Sequence, residues 1–534
     1  MEGIKAVNII GAGLAGLSAA ITLAKKGIGS NLISAQPSER AQSVLAEGGI
    51  NAALDTMGEN DTTEEHFADT MRSGGYLESE QSIRNLTDNA PKIVRELVRL
   101  GAPFQSKDGR LLLRNFGGQE KKRTAYAKSS TGKIIMTTLI DEARKYETMG
   151  LIKRYPHHEL VGLEIEGGKL CSVTVKDKFT DHTYSFDGPA ILCTGGLNGF
   201  FEGATTGTTQ NTGNAAAIAF SSGAAFANLE FIQYHPTTVG ISGKRMLISE
   251  AARGEGGRLF TLRNGSPWYF MEDKYPKLGN LMPRDVVSRE IASLQSEPGC
   301  TGEVFLDLTG LNGSIWKEKL SDMSEEIQAY LHIDPKNTPI PVSPGIHFFM
   351  GGIWVNDRHE TNIRGLFAAG EAACKYHGAN RLGANSMLGA IFGGQIAAEN
   401  AAENAAGCAC GVNILEKPFV PESESVPKQR QALCNALLGG LGIIRTSENM
   451  AAALERVKKL ADTVDNGIDR ARVLLGLAMI KSAIERKESR GAHYRTDCKK
   501  EKDAFRKLTV ARYAGGKILI TFVQAGQELG GADE

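Results

Sequence analysis

The chain lacks the patterns that mark several classes of protein. Its 534 residues contain 61 Lys and Arg against 61 Asp and Glu, so no net charge favours binding to nucleic acid or to an anionic membrane surface. No apolar run approaches the roughly 18 residues of a membrane-spanning helix. The first apolar run begins near residue 5, which leaves no room for a signal peptide. We therefore expect a cytoplasmic protein, or one held at a membrane through a partner, with no nucleic-acid partner and no direct membrane insertion.

The eight cysteines also lack the spacing of a metal or haem site. No Cys-x-x-Cys pattern occurs, so the sequence contains none of the usual spacings of iron–sulfur clusters, structural zinc or haem attachment. We predict no metal site. Cys408 and Cys410 form the only close pair, and we interpret them as small residues in an Ala-rich linker.

The N-terminus has the pattern of a dinucleotide-binding turn. An apolar run at residues 5–10 stops at Gly11, helical spacing follows over residues 14–27, and residues 31–34 form the next apolar run. The Gly-x-Gly-x-x-Gly pattern therefore lies between a strand and a helix, where its glycines permit a tight turn and close approach of a pyrophosphate. The residues assigned to the cofactor here are Gly11, Ala12, Gly13, Ala15, Gly16 and Ser34.

Ser34 stands where an acidic residue usually binds the ribose hydroxyl, which disfavours a nicotinamide cofactor and is compatible with FAD. A second Gly-rich helix start occupies residues 381–395, with Arg381 just before it. A chain that returns to its N-terminal nucleotide fold with an arginine at the join is typical of a flavoenzyme that presents an anionic substrate to the isoalloxazine ring.

The length predicts two to four domains, and 62 glycines with 41% hydrophobic residues suit a large α/β protein. Residues 230–345 are richer in Pro and aromatic residues, and residues 430–490 have helical periodicity. We expect an α/β fold with a discontinuous Rossmann-like FAD-binding domain and an inserted α+β capping domain, followed by a helical domain and a small C-terminal domain. The predicted boundaries are 1–228 with 345–412, then 229–344, 413–495 and 496–534.

The chain resembles the flavoprotein subunits of fumarate reductase and succinate dehydrogenase and the related L-aspartate oxidases, from about residue 5 to about residue 515. The matching segments are Ala46-Glu-Gly-Gly-Ile50, Phe116-Gly-Gly118, Glu230 to Thr237, Ser249 to Gly257, Pro283 to Arg289, Val304 to Leu308, His347 to Gly352, His377 to Arg381 and Glu488 to Arg495. The resemblance implies FAD as cofactor and a C4 dicarboxylate as substrate.

Reduction of a C=C bond between two carboxylates needs a hydride on one carbon and a proton on the other. Cations in a closed, low-dielectric pocket polarise that bond by holding one carboxylate. The residue types that suit this pocket are Arg381, His235 and His347 as clamps and Ser249 as a hydroxyl donor. The resemblance further implies that Arg284 donates the proton, resupplied by Arg253 and Glu250. If the segment is helical, Glu250 and Arg253 lie on one face.

Other residues of the chain are also assigned to the cofactor. These are Gln42, Ser43, Ala46, Gly48, Gly49, Thr194, Gly195, Gly196, Asn214, Gly370, Glu371, Ser386 and Met387. Gln42 stands where membrane-bound members carry the histidine that bonds to the flavin, so we predict non-covalent FAD, which favours the reducing direction or an oxidase. Asn214 replaces an aspartate, and Phe349 replaces a threonine and is expected to reshape one end of the substrate pocket.

Two other functions stay open. L-aspartate oxidase also binds FAD without a covalent link, but its pocket must hold an ammonium group, and Phe116 precedes Gly117-Gly118 where an acidic residue would suit that group. The chain could instead be a flavin-binding assembly subunit with little turnover, although Glu250, Arg253 and Arg284 are all present. His377 is a candidate neighbour of the pocket.

Electrons that enter or leave the flavin must use a partner protein, a diffusible donor or oxygen, and we expect a separate iron–sulfur or other electron-carrier protein. Residues 488–495 resemble the region near an iron–sulfur partner in complexes. The alternative for this segment is a helix C-cap at Gly491 followed by a solvated basic run.

Overall fold

The computed structural model describes residues 6–128, 130–180, 182–404, 412–415, 426–464 and 467–530. Its helices are α1 (Leu14–Lys25), α2 (Thr63–Ser73), α3 (Glu80–Arg99), α4 (Thr131–Thr148), α5 (Asn214–Ser221), α6 (Ala251–Gly254), α7 (Phe270–Lys274), α8 (Arg284–Ser293), α9 (Gly313–Glu318), α10 (Ser321–Leu331), α11 (Asn385–Asn404), α12 (Val426–Gly440), α13 (Ser447–Ala461) and α14 (Gly467–Glu485).

The strands up to residue 192 are β1 (Ala6–Ile10), β2 (Gly29–Ser34), β3 (Ile50–Asn51), β4 (Ser106–Lys107), β5 (Arg110–Leu111), β6 (Leu113–Arg114), β7 (Thr124–Ala125), β8 (Ile152–Pro156), β9 (His158–Glu166), β10 (Lys169–Asp177), β11 (Thr183–Asp187) and β12 (Ala190–Leu192). Those that follow are β13 (Phe226–Ala227), β14 (Ile232–Ile241), β15 (Lys244–Leu247), β16 (Arg258–Arg263), β17 (Ser266–Trp268), β18 (Val304–Asp307), β19 (Ile340–Phe349), β20 (Gly352–Trp354), β21 (Leu366–Ala368), β22 (Ala373–Cys374), β23 (Val412–Leu415), β24 (Leu508–Ala514) and β25 (Lys517–Val523).

A parallel sheet carries the predicted nucleotide-binding turn. Its strand order is β21-β12-β1-β2-β8, with β1 in the centre and Ile9 paired to both Ile191 and Leu32. Helix α1 packs closely on β1 because the third glycine of the pattern has no side chain. A Cβ on Gly16 would lie 1.8 Å from the carbonyl oxygen of Gly11. The helix ends at Lys25, and Gly27 follows with φ +71°, as a glycine after a helix C-terminus does. This sheet and its helices confirm the α/β class.

Residues 232–349 contain a six-stranded sheet in the order β15-β14-β19-β18-β16-β17. The helices α6 to α10 accompany it, and an apolar cluster that includes Ile248, Phe270, Leu306 and Trp316 forms its core. This mixture of strands and helices matches the α+β character expected of the insertion. Strands β14 and β19 of this sheet carry His235 and His347, which lie near the cofactor lobes described below.

The C-terminal strands complete a sheet that begins much earlier in the chain. Its order is β22-β20-β13-β24-β25, and Ala227 of β13 pairs with Val510 of β24. The helical stretch predicted over residues 430–490 consists of three helices, α12 to α14, and α14 packs against α5. The domain boundaries therefore stay a prediction, since segments from the four predicted parts share sheets and helix contacts.

Helix α11 begins at Asn385, within the Gly-rich helix start predicted at residues 381–395 and directly after Ala384, which has φ +63°. The close cysteine pair, Cys408 and Cys410, lies outside the described residues. Within the part of the chain that the structure describes, no helix has the length and apolar character needed to cross a membrane.

Candidate active site

Two adjoining cavity lobes lie along the carboxyl ends of the parallel strands. They enclose about 900 and about 1050 Å³ of empty space. Both lobes are lined by Gly13, Gln42, Ser43, Cys193, Gly195 and Asn211, so they form one continuous site. We call the lobe that contains Gly11, Ser34 and Leu160 the nucleotide lobe, and the lobe that contains Arg284 and Arg381 the arginine lobe. Together the two lobes have the volume and the mixture of lining residues that suit a dinucleotide and a small substrate.

The nucleotide lobe suits the phosphate and ribose groups of a dinucleotide. Gly11 has φ +112°, and a Cβ there would lie 2.1 Å from the carbonyl oxygen of Cys193, so only glycine allows the strand and turn to approach. Gly13 caps α1 without a side chain, which leaves the helix N-terminus accessible to an anion. The predicted cofactor residues that line this lobe are Gly11, Ala12, Gly13, Ser34, Gln42, Ser43, Thr194 and Gly195.

The arginine lobe gathers most of the remaining predicted residues. Those assigned to the cofactor that line it are Ala15, Ala46, Gly48, Gly49, Gly370, Glu371, Ser386 and Met387. Those assigned to the substrate or to proton transfer are His235, Ser249, Glu250, Arg284, His347 and Arg381. They come from two parts of the sequence, residues 235–284 and residues 347–381, which the fold brings to one wall of the lobe.

Three predicted cofactor residues do not line either lobe. Gly16 lies in the strand–helix contact described above. Gly196 lies behind Glu371, since a Cβ there would be 2.6 Å from the Oε1 atom of Glu371. Asn214 donates to Glu159 Oε1 at 2.8 Å and accepts from Arg472 Nη1 at 2.9 Å. Their positions are those of supporting residues, because strand, helix and loop packing takes their side chains or Cβ positions away from the cavity.

Glu250 bridges two arginines in the arginine lobe. Its Oε2 atom accepts from Arg284 Nε at 2.8 Å and from Arg284 Nη2 at 2.6 Å, and its Oε1 atom accepts from Arg253 Nη2 at 3.1 Å. All three side chains are at most 7% exposed. Burial alone would raise the pKa of Glu250, but the two arginines more than offset this and lower it below its usual value. The pair of Glu250 and Arg253 is therefore a buried ion pair and not a surface salt bridge.

Gln233 is a site residue that the sequence analysis missed. Its Oε1 atom accepts from Arg284 Nη1 at 3.2 Å and from Arg381 Nη2 at 3.0 Å, while its Nε2 atom donates to Asn380 Oδ1 at 2.8 Å. The side chain is fully buried. Its position in the matched segment from Glu230 to Thr237, two residues before His235, is the signal that could have identified it.

Arg381 lies at the base of the arginine lobe, 3% exposed, with its guanidinium carbon 4.4 Å from the centre of the Phe348 ring. Burial and the nearby Arg284 lower its pKa well below the usual value for arginine. Among the described residues its Nε atom has no hydrogen-bond partner. A buried cation with an unsatisfied donor, at the wall of a cavity, fits a bound carboxylate.

The two predicted histidine clamps lie against each other, with ring centres 5.2 Å apart. His235 is buried and His347 is half-buried. Burial together with the nearby Arg284 lowers the pKa of each well below its usual value. This direction favours neutral rings that donate hydrogen bonds over cations at neutral pH, and the role of both residues as substrate clamps stays a prediction.

Two aromatic residues are placed differently from expectation. Phe349 does not line the arginine lobe: its ring packs 5.7 Å from that of Phe201 in the core, and its backbone N–H donates to Glu371 Oε1 at 3.0 Å. The prediction that Phe349 reshapes the substrate pocket is therefore wrong, and Phe348 lines the lobe instead. Phe116 lines the lobe as expected. His377 packs against the far side of Phe348, with ring centres 5.1 Å apart, and is a neighbour of the pocket but not part of its wall.

Glu47 was missed as an individual residue, although it lies in the matching segment at residues 46–50. It lines the arginine lobe, and burial, followed by repulsion from Glu326, raises its pKa to about 8. Glu371 in the same lobe has its pKa raised to about 7 by burial. At neutral pH Glu47 is therefore mainly a neutral hydrogen-bonding group.

Residues 486–495 do not form a solvated basic run, so that interpretation is wrong. Helix α14 ends at Glu485, and Gly491 lies six residues beyond its end. Arg486, Arg490 and Arg495 are all at most 4% exposed. Arg486 donates to Glu230 Oε1 at 2.5 Å and to Glu488 Oε1 at 2.9 Å, and Arg490 also pairs with Glu488. This network fastens the segment just before β14 to the C-terminal segment.

Comparison with known proteins agrees with this geometry. Residues 7–387 match the model of an FAD-binding domain family, and residues 470–525 match the model of the fumarate reductase flavoprotein C-terminal region. The chain is 36% identical to the succinate dehydrogenase flavoprotein subunit of Bacillus subtilis, over 95% of this chain and 94% of that one. It is 31% identical to the L-aspartate oxidase of Streptomyces coelicolor, over 92% and 88%.

The fold has a close counterpart among solved structures. The FrdA chain of a mutant E. coli quinol fumarate reductase superimposes with a TM-score of 0.85 at 28% identity, covering 98% of this chain and 97% of that one. The class of protein is therefore that of the FAD-dependent oxidoreductases. The chain belongs to the family of flavoprotein subunits that contains succinate dehydrogenase, fumarate reductase and L-aspartate oxidase. The predictions of the family, of FAD and of an enzyme are confirmed.

Proposed function

We propose that the chain reduces a C4 trans-dicarboxylate, fumarate, to succinate. The observation that carries this proposal is the buried row of Arg284, Glu250 and Arg253, which ends at the same cavity wall as Arg381. FAD, when bound, supplies the hydride. The nucleotide lobe and the residues Ala46, Gly48 and Ser386 of the arginine lobe would hold it, and no covalent bond is available because Gln42 carries no nucleophilic ring nitrogen.

The chain's own residues would bind and polarise the substrate. Arg381 pairs with one carboxylate, and the neutral His235 and His347, with Ser249, donate hydrogen bonds to it or to the second carboxylate. A carboxylate held between buried donors withdraws electron density from the double bond, and the low-dielectric surroundings strengthen this effect. Burial of Arg381, His235 and Ser249 also keeps water from the carbon that is protonated.

Arg284 would donate the proton. A guanidinium in water is a very weak acid, so proton donation requires nearby positive charge and rapid return of the proton. Arg381 provides the positive charge, because both guanidiniums share the Oε1 atom of Gln233. Glu250 provides the return path, since one of its oxygens contacts Arg284 and the other contacts Arg253.

The reducing direction and the electron source are parts of the same proposal. Gln42 in place of the attachment histidine favours reduction of fumarate over oxidation of succinate, because the covalent link goes with a higher flavin potential in the family. Since no Cys-x-x-Cys pattern is present, we propose that a separate electron-carrier protein, of the iron–sulfur or another type, delivers the electrons. The names of several relatives describe them as subunits, which supports such a partner.

L-aspartate oxidation is the second candidate, favoured by the 31% identity with an L-aspartate oxidase. Its substrate carries an ammonium group that needs a carboxylate partner in a buried pocket. Phe116 offers none, and the raised pKa of Glu47, about 8, leaves that group mainly neutral at pH 7. The arginine lobe therefore fits two carboxylates better than a carboxylate and an ammonium group.

The deciding experiment compares the two substrates on the same preparation. We expect denaturation in acid to release all FAD into the supernatant. We expect anaerobically reduced enzyme to be reoxidised by fumarate at least tenfold faster than by buffer, with no flavin reduction when L-aspartate is added to oxidised enzyme. Flavin reduction by L-aspartate without reoxidation by fumarate would establish the oxidase instead. If the flavin reacts with neither fumarate nor L-aspartate, the result would support a non-enzymatic assembly subunit.

A further inference from the structure

A loop across the nucleotide lobe is held from two sides. Residues 198–213, which we call the strap, join the segment after β12 to helix α5. The strap residues that line the nucleotide lobe are Thr208, Gln210, Asn211, Thr212 and Gly213. A loop of about 16 residues that forms part of a cofactor's wall must be fixed at several points, or its freedom opposes binding.

The first hold comes from the turn after β2. Gln42 Oε1 accepts a hydrogen bond from the backbone N–H of Thr208 at 2.5 Å, and Gln36 Nε2 donates to Gln210 Oε1 at 3.1 Å. Gln42 is the residue that stands in place of the attachment histidine. Its side chain thus fixes the strap at the position where relatives of the family carry their covalent bond to the flavin.

The second hold comes from helix α14, about 260 residues along the chain. Arg472 Nη2 donates to the carbonyl oxygen of Gly199 at 2.9 Å, near the start of the strap. Arg472 Nη1 donates to the carbonyl oxygen of Thr212, at its end, and to Asn214 Oδ1 at 2.9 Å. The guanidinium carbon also lies 4.2 Å from the centre of the Phe200 ring. A single side chain therefore ties together both ends of the strap.

The geometry requires an arginine. Arg472 is 3% exposed and makes these contacts with the two Nη atoms of one planar group, together with the face of that group on Phe200. Lysine has a single nitrogen and no flat face, so it cannot reproduce them. Burial lowers the pKa of Arg472 to about 10, so the side chain stays charged at neutral pH. Asn214, where relatives have aspartate, accepts from Arg472 and donates to Glu159 of β9.

We propose that Arg472 is a positioning residue for the flavin cofactor. It does not line either lobe, but it holds the strap closed against the adenosine half of the dinucleotide, while Gln42 holds the strap from the opposite segment. This inference rests on the proposed non-covalent binding of FAD. The two holds take the part of the missing covalent link in keeping FAD on the enzyme, and they make cofactor retention depend on the docking of helix α14.

The test measures cofactor affinity and needs no substrate. FAD release from diluted holoenzyme is followed by the recovery of flavin fluorescence, and ADP binding to the deflavinated protein by calorimetry. For Arg472→Gln and Arg472→Lys we expect FAD to dissociate at least tenfold faster and the Kd for ADP to rise by a similar factor, since the strap covers the nucleotide half. Arg470→Gln is the matched control, because Arg470 lies exposed on the same helix. We expect it to stay within twofold of the wild type.

Unchanged FAD release and ADP affinity in the Arg472 variants would overturn the inference, and so would faster FAD release with unchanged ADP affinity. If the Arg472 variants fail to fold, Gln42→Leu and Asn214→Ala remove a partner at each side, and each is expected to speed FAD release severalfold. Wild-type release rates in both of these variants would also overturn it. Absence of fumarate reduction by the wild type would contradict the proposed function and leave these affinities as an independent result.

Discussion

Glu250 holds Arg284 with one carboxylate oxygen and Arg253 with the other. The two bonds from Arg284 Nε and Nη2 converge on Oε2 at 2.8 and 2.6 Å, whereas Oε1 accepts from Arg253 at 3.1 Å. A carboxylate that divides its oxygens in this way keeps two guanidiniums apart and in fixed orientation. In the proposed reaction this carboxylate is the route by which a proton passes from Arg253 to Arg284.

Replacement of Arg284 by Gln should abolish the proposed reduction while leaving FAD bound. The expected loss of kcat for fumarate is about 10²–10⁴-fold, the range that a positioned general acid contributes. Arg284→Lys should lose nearly as much, because one nitrogen cannot reach both Glu250 and Gln233. The measurement is steady-state reduction of fumarate by a reduced artificial dye. The control is Arg289→Gln, which changes an arginine in the same helix that lines neither lobe. Substantial turnover by Arg284→Gln would show that Arg284 is not the acid.

Replacement of Gln233 by Leu should weaken the alignment of Arg284 with Arg381. The variant removes the acceptor that both guanidiniums share, and hydrogen bonds to charged groups are worth about 1.5–3 kcal/mol each. We expect kcat/KM for fumarate to fall by about 10–100-fold, since about 1.4 kcal/mol corresponds to tenfold. The affinity for a non-reducible dicarboxylate, read from the flavin absorbance, should fall as well. The control Gln431→Leu, on the exposed side of α12, should change neither kcat/KM nor this affinity. If Gln233→Leu also leaves both quantities unchanged, the prediction is wrong.

Glu47 should make the stability of the apoprotein depend on pH. Its pKa is about 8 in the folded protein against an ordinary value of 4.5, so between these two pH values the folded state retains a proton that the unfolded state loses. The stabilisation that comes from the raised pKa of Glu47 is therefore complete below about pH 4.5 and is lost as the pH rises towards about 8. The urea midpoints of the wild type and of Glu47→Gln, measured from pH 5 to pH 8, give the difference that belongs to this residue. We expect the wild type to lose more stability than Glu47→Gln over this range. If the urea midpoints of the two proteins fall in parallel as the pH rises, the prediction is wrong.

Two carboxylates that pair with Arg490 should differ greatly in their contribution to the free energy of unfolding. Glu488 is fully buried and pairs with Arg486 and Arg490, whereas the side chain of Glu501 is 56% exposed. Removal of one partner from a buried pair costs about 3–5 kcal/mol, against about 0–1 kcal/mol for an exposed pair. Urea unfolding of Glu488→Gln should show the large loss and that of Glu501→Gln the small one. Equal losses would show that burial of the Arg486–Arg490 network is not what stabilises this segment.

The elements near the nucleotide lobe were predictable because their sequence signals are local. Gly11, Gly13 and Gly16 follow an apolar run and precede helical spacing, and the turn type limits the residues that fit. The resemblance to a known family then brought together Glu250, Arg284 and Arg381, which no periodicity connects. Family, fold class and cofactor could therefore be inferred from the sequence.

Features that depend on long-range packing were not predictable. Phe348 and Phe349 are neighbours with the same side chain, yet only Phe348 reaches the lobe, because successive side chains of a strand point to opposite faces and the Phe349 ring enters the core beside Phe201. The charge state of His235 and His347 depends on burial beside Arg284, which the residue type does not reveal. The contact of Arg472 with the strap joins residues 260 positions apart and leaves no local pattern.

The pairing of β13 with β24 affects how the protein is made. The ribosome completes residues 226–227 nearly 300 residues before their sheet partner at 508–514 emerges, so this part of the chain has an unpaired strand edge throughout most of translation. Helix α14, which fixes the strap, also leaves the ribosome late. This sheet can therefore close only after the C-terminal strands have been made, and a chain that stops before residue 508 leaves the edge of β13 without this partner.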